Sequence, residues 1–164
     1  MFECKGIRDK KLFKEIYFHI LYKSGLNLVL EIICGILFVL NIISVFCDNE
    51  PFYFFFYCYA LIIVFKIWYY NRLVGICVAR EKEHSFNGPI EYTTVIYDDR
   101  IVQKSSLGSD YTMLFSNIKK VFKTSHYIVL QSAAKQMFIL EKEKFNVGDS
   151  EQLILFLREK GYKI

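Results

Sequence analysis

The sequence predicts an α+β membrane protein: an N-terminal hairpin of two transmembrane helices, then a small antiparallel β-sheet or barrel closed by one C-terminal helix. Three observations carry that expectation. Two long apolar runs are separated only by a short acidic turn. Lysine and arginine flank both runs and are absent from the turn. Beyond residue 89 the pattern changes to short alternating segments broken by turn residues, and a single capped amphipathic stretch ends it.

The first apolar run, Leu26 to Phe46, spans roughly 30 Å as a helix, about the thickness of one bilayer core. The turn Cys47-Asp48-Asn49-Glu50-Pro51 leads to a second run from Phe52 to Tyr70, so the two spans over 26–70 must be antiparallel. Before the first run stand Lys5, Arg8, Lys10, Lys11, Lys14 and Lys23, and after the second stand Arg72, Arg80 and Lys82. The positive-inside rule therefore places both termini in the cytoplasm. Trp68, Tyr69 and Tyr70 suit the inner interface, Phe52 and Tyr53 the outer one. A cleaved signal peptide fits poorly, because the apolar run begins late and is too long. A buried hairpin in a soluble core competes less well, since two consecutive runs of this length exceed ordinary core helices.

Residues 1–25 form the next segment. Leu12, Phe13, Ile16, Tyr17, Ile20 and Leu21 recur at helical spacing, with Lys10, Lys11 and Lys14 off that stripe and Asp9 placed as N-cap. Such a basic amphipathic helix either lies in the headgroup region or packs on the cytoplasmic domain. His19, at the margin of the apolar face, reads as a packed or interfacial residue. The connector over 71–89 is too short and too charged to cross again, so its first part is expected to continue the helix out of the membrane or to run along the surface, and Ser85-Phe86-Asn87-Gly88-Pro89 signals a loop.

The net charge of +4 concentrates before the first span. It reads as membrane orientation, with the lipid bilayer as partner and no nucleic acid. Cys4, Cys34, Cys47, Cys58 and Cys77 show no C-x-x-C and no histidine at ligand spacing, so neither a disulfide framework nor a metal site is expected.

Polar residues inside the hairpin are Asn27, Glu31, Asn41 and Lys66. Folding the chain about Asp48 and Asn49 brings Glu31 level with Lys66, which suggests an intramembrane ion pair. The competing arrangement has Lys66 snorkelling to headgroups while Glu31 reaches water or Lys23. A proton path would need more than one carboxylate along the bilayer depth.

The module over 90–164 reads as strands at Ile90–Tyr97, Arg100–Ser105, Tyr111–Phe115, Ile118–Thr124, Tyr127–Gln131 and Gln136–Leu140. Asp149-Ser150-Glu151-Gln152 has the form of a capping box, Leu153, Phe156 and Leu157 share one helical stripe, and Lys160-Gly161 stops the helix.

At Val95–Ile101, Phe115–Val121, His126–Leu130 and Ile139–Phe145 the chain resembles the YcxB-like family of small bacterial membrane proteins. Those segments match the family's acidic turn, aromatic-Ser-x-Ile step with a Lys-rich strand, Tyr-containing strand and final step to Phe. Arg100 stands where the family tends to have Gly, and Glu141 where it has Pro. The resemblance implies a pleckstrin-homology-like cytoplasmic domain tethered to a bacterial plasma membrane, without an established activity. It implies Phe115, Ile118, Tyr127, Ile139 and Phe145 as core, with Ser116 or Asn117 capping a turn. The fold analogy also makes Lys119, Lys120, Lys123, Lys142 and Lys144 candidate contacts for anionic lipid. Strand alternation puts Lys119 and Lys123 on one face and Lys120 on the other, so they do not form one patch by themselves.

No nucleophile elbow, zinc-protease, P-loop or dinucleotide fingerprint is present, and Asp98-Asp99 suits a turn. No catalytic residue or cofactor is expected. The reading is a non-catalytic binding, scaffolding or membrane-sensing protein, with a membrane-protein partner or self-association as its interaction classes. Self-protection against a membrane-active peptide is the alternative.

Overall fold

A computed structural model describes residues 1–22, 25–46, 53–84 and 89–164. The expected turn over 47–51, Cys47, Phe52, Lys23 and most of the 85–89 loop lie outside the described residues. The chain divides into two compact units, Met1–Phe13 with Val78–Ile164, and Lys14–Cys77.

The first unit contains two antiparallel sheets and a helix. Strands β1 (Phe2–Ile7), β2 (Glu91–Ile96), β3 (Arg100–Ser105), β4 (Asp110–Leu114) and β8 (Phe145–Val147) form one sheet in the order β4-β3-β2-β1-β8. Strands β5 (Ile118–Lys123), β6 (Tyr127–Ser132) and β7 (Met137–Glu141) form the other. Helix α4 (Ser150–Glu159) follows, with Asp149 accepting from the Gln152 amide at 2.8 Å. One 3-10 turn, Phe115–Asn117, joins the sheets without a side-chain cap, so neither Ser116 nor Asn117 performs the expected capping.

Both sheets and α4 supply one core. Ile96 and Ile101 come from the larger sheet, Ile128, Leu130, Phe138 and Leu140 from the smaller, and Leu153 and Leu157 from α4. Strand β6 is buried on both faces, because Tyr127 and Val129 are buried alongside the core-facing Ile128 and Leu130. Phe115 and Ile118 are core as expected, whereas Ile139 and Phe145 are only partly buried. The β2–β3 turn closes through the Tyr97 amide on the Arg100 carbonyl at 2.9 Å, and Arg100 has no positive φ, so glycine is not required there.

The first seven residues correct the expectation of a helical N-terminal segment. Phe2–Ile7 is a strand hydrogen-bonded between β2 and β8, and helix α1 runs only over Lys10–Tyr22. The cause is legible in retrospect: Phe2-Glu3-Cys4-Lys5 alternates apolar and charged residues with period two. Cys4 is buried in the core, where burial pushes its thiol pKa up to about 11. Asp9 caps α1 by accepting the Leu12 amide at 2.8 Å, and Leu12, Phe13 and Ile16 are buried within the protein.

The second unit is helical. Helix α2 covers Gly25–Phe46, and α3 runs over Tyr53–His84, so the connector after Tyr70 continues the helix, one of the two arrangements expected for it. Phe38 meets Tyr59 with ring centroids 5.2 Å apart, and Glu31 meets Lys66. Moving forward from Glu31 to Phe38 therefore takes the partner backward from Lys66 to Tyr59, as antiparallel helices require. Helix α1 also runs against α3, with Tyr17 Oη 3.2 Å from Cys77 Sγ and Tyr22 edge-on to Tyr70. Among the described residues, Tyr57–Glu83 is the one stretch long and apolar enough to cross a membrane, while Glu31–Ser44 is apolar but shorter.

Gly148 tests how tightly β1 is seated. It has φ +74, and a Cβ there would lie 2.5 Å from Phe2 Cδ1. Gly148→Ala is expected to cost about 2 kcal/mol, combining left-handed strain with displacement of the Phe2 ring. Gly6→Ala, where a Cβ meets nothing within 4 Å, serves as control and should change stability little. Equal melting temperatures for the two variants would show that the Phe2 contact contributes nothing.

Candidate functional site

The basic residues of the β-module separate into committed and uncommitted side chains. Lys142 Nζ donates to the carbonyls of Thr124 at 2.6 Å and Ser125 at 2.9 Å, tying down the β5–β6 turn. Lys144 pairs with Glu141 at 3.0 Å. Neither stands with Lys119 and Lys120 in the cavity described next, so the candidate contacts read from the sequence do not form one site.

Lys119 and Lys120 do come together. The β5–β6 register shifts between Ile118 and Lys120, and this bulge breaks the alternation on which the sequence reading relied. Lys119 and Lys120 are both exposed, and Val121 and Phe122 are both buried. The two lysines line a cavity of about 300 Å³ with Gln131, Ser132, Ala133 and Lys135. Lys135, which the sequence places in a hairpin turn over Ser132–Lys135 and not among the candidate contacts, sits in the β6–β7 turn with φ 63. Ser132 Oγ accepts the Gln136 amide at 3.1 Å, and the Ala133 amide donates to the Asn117 carbonyl at 3.0 Å, which fixes the cavity wall. No carboxylate lines this cavity. Lys123 is exposed at the far end of β5 and does not line it.

A second polar cluster was not legible in the sequence at all. Arg8, just beyond β1, donates from Nη1 to Glu81 Oε1 at 3.3 Å and from Nη2 to Gln103 Oε1 at 3.0 Å. Its guanidinium lies 4.1 Å from the Tyr92 ring centroid. Tyr92 Oη donates to Glu81 Oε2 at 3.0 Å, and Gln103 Nε2 donates to Thr94 Oγ1 at 3.0 Å. Burial first, and the neighbouring Glu81 carboxylate after it, raise the Tyr92 pKa against the opposing pull of Arg8. Arg8 Nε is buried without an acceptor among the described residues. The cluster joins the segments carrying β1, β2, β3 and the last turns of α3, which identifies it as a structural clamp. Its members come from well-separated stretches, so no local motif announces it.

In the helical unit, Lys66 Nζ donates to Glu31 Oε1, and the same ammonium lies 5.7 Å from the Tyr22 ring centroid. Of the four polar residues singled out in the apolar runs, these two have described side chains, and they meet. The arrangement orients α2 on α3. Four free cysteines, Cys4, Cys34, Cys58 and Cys77, are described, and no group of three His, Cys, Asp or Glu side chains is placed to hold a metal among the described residues.

No family model, curated protein or solved structure matches the chain.

Two measurements test the clamp and the helical pair. Arg8→Met preserves the stem but strands Glu81 and Gln103, and it is expected to lower stability by about 2–3 kcal/mol in denaturant titration. A loss below about 0.5 kcal/mol, the range of ordinary surface substitutions, would mean that the cluster is merely solvated. For the helical pair, a cycle of Glu31→Gln, Lys66→Met and the double variant should give a coupling energy of about 1 kcal/mol, whereas additivity would assign the pair no role.

Proposed function

We propose that this chain is a two-span plasma-membrane protein of bacterial origin, of YcxB-like type, with both termini in the cytoplasm. Its hairpin anchors a pleckstrin-homology-like module that works by non-catalytic binding, as a scaffold or a sensor of the membrane. The observation that carries this reading is the exposure of the apolar helices. Only 6% of the apolar window in Tyr57–Glu83 is buried inside the protein. Ile32, Ile33, Ile36, Leu40, Leu61 and Phe65 are likewise exposed. Contiguous apolar surface on this scale is costly in water and is relieved by a lipid environment or by other apolar helices. The pairing of Glu31 with Lys66 supports the same reading, since an ionised group in an apolar span is stabilised by a partner. Arg72, its guanidinium 5.1 Å from the Trp68 ring centroid, suits the interface on the cytoplasmic side.

The likeness to the YcxB-like family is supported by the order of the matching segments. The acidic turn lies between β2 and β3, the aromatic-Ser-x-Ile step crosses from the first sheet to the second, and the last segment leads into β8. Two antiparallel sheets closed by a C-terminal helix are what a pleckstrin-homology-like module needs.

Carbonate washing of membranes, combined with C-terminal reporter fusions, tests the proposal. The protein should remain in the pellet, with a β-galactosidase fusion active and an alkaline phosphatase fusion inactive. Release by carbonate would remove the anchor, and an active phosphatase fusion would reverse the orientation.

A further inference from the structure

We infer that the cavity bounded by Lys119, Lys120 and Lys135 is a binding site for a phosphate-bearing anion. This deepens the proposed binding role and rests on it in one respect only, that the module acts by binding and not by catalysis.

Three lysines line one cavity of about 300 Å³, and no acid stands among its described lining residues. That volume is at the lower end of small-ligand pockets and suits a phosphate group with part of its substituent. Other cations of the same unit are engaged: Arg8 meets Glu81, Lys104 meets Asp110 and Lys144 meets Glu141, while Lys142 donates to backbone carbonyls and Lys160 lies over aromatic rings. Among the described residues none of the three cavity lysines meets a carboxylate, and Lys120 Nζ lies 5.4 Å from the Phe122 ring centroid.

Two backbone irregularities deliver these charges. The bulge at Ile118 and Lys120 turns consecutive lysines outward where a regular strand would turn one inward. Lys135 occupies the left-handed region at φ 63, the one non-glycine residue to do so among those described. Glycine would occupy that conformation without strain. A lysine held there supplies a charge at the expense of backbone ease, which is the signature expected when a turn residue serves a ligand. Ser132 contributes a neutral group: its oxygen already accepts from the Gln136 amide, and its hydroxyl proton remains able to donate.

Lysine favours phosphate as a point charge, and three around one anion neutralise a phosphate monoester more fully than a single carboxylate. The anion comes either from a lipid headgroup or from a soluble phosphate compound. The chemistry of recognition is shared, and the source is decided by experiment.

The full chain is reconstituted in nanodiscs of phosphatidylcholine, and lysine reductive methylation is followed residue by residue by mass spectrometry. One arm adds inorganic pyrophosphate at constant ionic strength. The other replaces a share of the lipid by phosphatidylglycerol. Slower modification of Lys119, Lys120 and Lys135, with Lys104 and Lys163 unchanged, is the expected result. Protection by pyrophosphate assigns a soluble phosphate, and protection by phosphatidylglycerol alone assigns a headgroup. Uniform slowing of all exposed lysines, or none in either arm, overturns the site. Incorporation into the nanodisc is scored separately by co-elution, so failure of the membrane anchor is distinguishable from failure of the pocket.

Lys135→Gly separates ligand binding from folding. Relief of the positive φ should raise the basal melting temperature, while affinity for whichever probe protected the wild type falls about tenfold through loss of one charge-assisted contact. An unchanged affinity in that variant would remove Lys135 from the site and leave the strained turn unexplained by binding.

Discussion

The module depends on one strand arriving from far away in sequence. Strand β1 lies between β2 and β8, so it fills the ladder on both sides at once. Its last residue, Ile7, is in register with Glu91, the first residue of β2. The chain therefore leaves the sheet and returns to it at directly paired positions, and everything from Arg8 to Ile90 is an excursion between two neighbouring strands. Closing so long an excursion costs only slowly more with length, because loop entropy grows logarithmically. Arg8, the residue after Ile7, and Glu81, near the end of α3, bind the departing and returning segments to each other. The larger sheet needs this arrangement: without β1, β8 has no partner and β2 becomes an edge.

This topology explains which features could be read from the sequence. The apolar runs, strands β2 through β7, the turns between them and helix α4 follow from local periodicity and capping, and both aspartate caps, Asp9 and Asp149, hold their expected positions. Strands β1 and β8 escape because each is stabilised by partners distant in sequence, not by a turn beside it, and β8 is only three residues long. The alternation of Phe2-Glu3-Cys4-Lys5 was visible, but the stronger helical period from Leu12 onward dominated the segment. The pairing of Glu31 with Lys66 could be anticipated for the opposite reason. A helical hairpin relates residues equidistant from its turn, so local geometry fixes the register.

The lysine cavity shows where period-two reasoning fails. Alternation assigns Lys119 and Lys120 to opposite faces, and one bulge, which has no distinctive residue signature in Ile118-Lys119-Lys120, places them together. The sequence places Lys135 in the short turn between the strands at Tyr127–Gln131 and Gln136–Leu140 and says no more of it, because a left-handed conformation at lysine is not signalled by residue type. Lys142 has a structural role as well as a charge: its ammonium donates to two backbone carbonyls of the β5–β6 turn.

The distribution of the protein's charge follows from these assignments. The net charge is +4, and acids and bases that meet in the two units largely cancel, as Glu31 does with Lys66 and Glu81 with Arg8. Exposed pairs such as Arg100 with Asp99 at 4.0 Å contribute little beyond that cancellation. At the cavity wall, by contrast, like charges are gathered with no acid among them. Like charges gathered at one wall repel, weakly in water and more strongly as the medium becomes less polar. Glycine would hold the Lys135 conformation without strain, so the turn itself does not call for a charge there. An anion seated among those charges reverses the sign of that electrostatic term, converting a local repulsion in the free protein into attraction in the bound one.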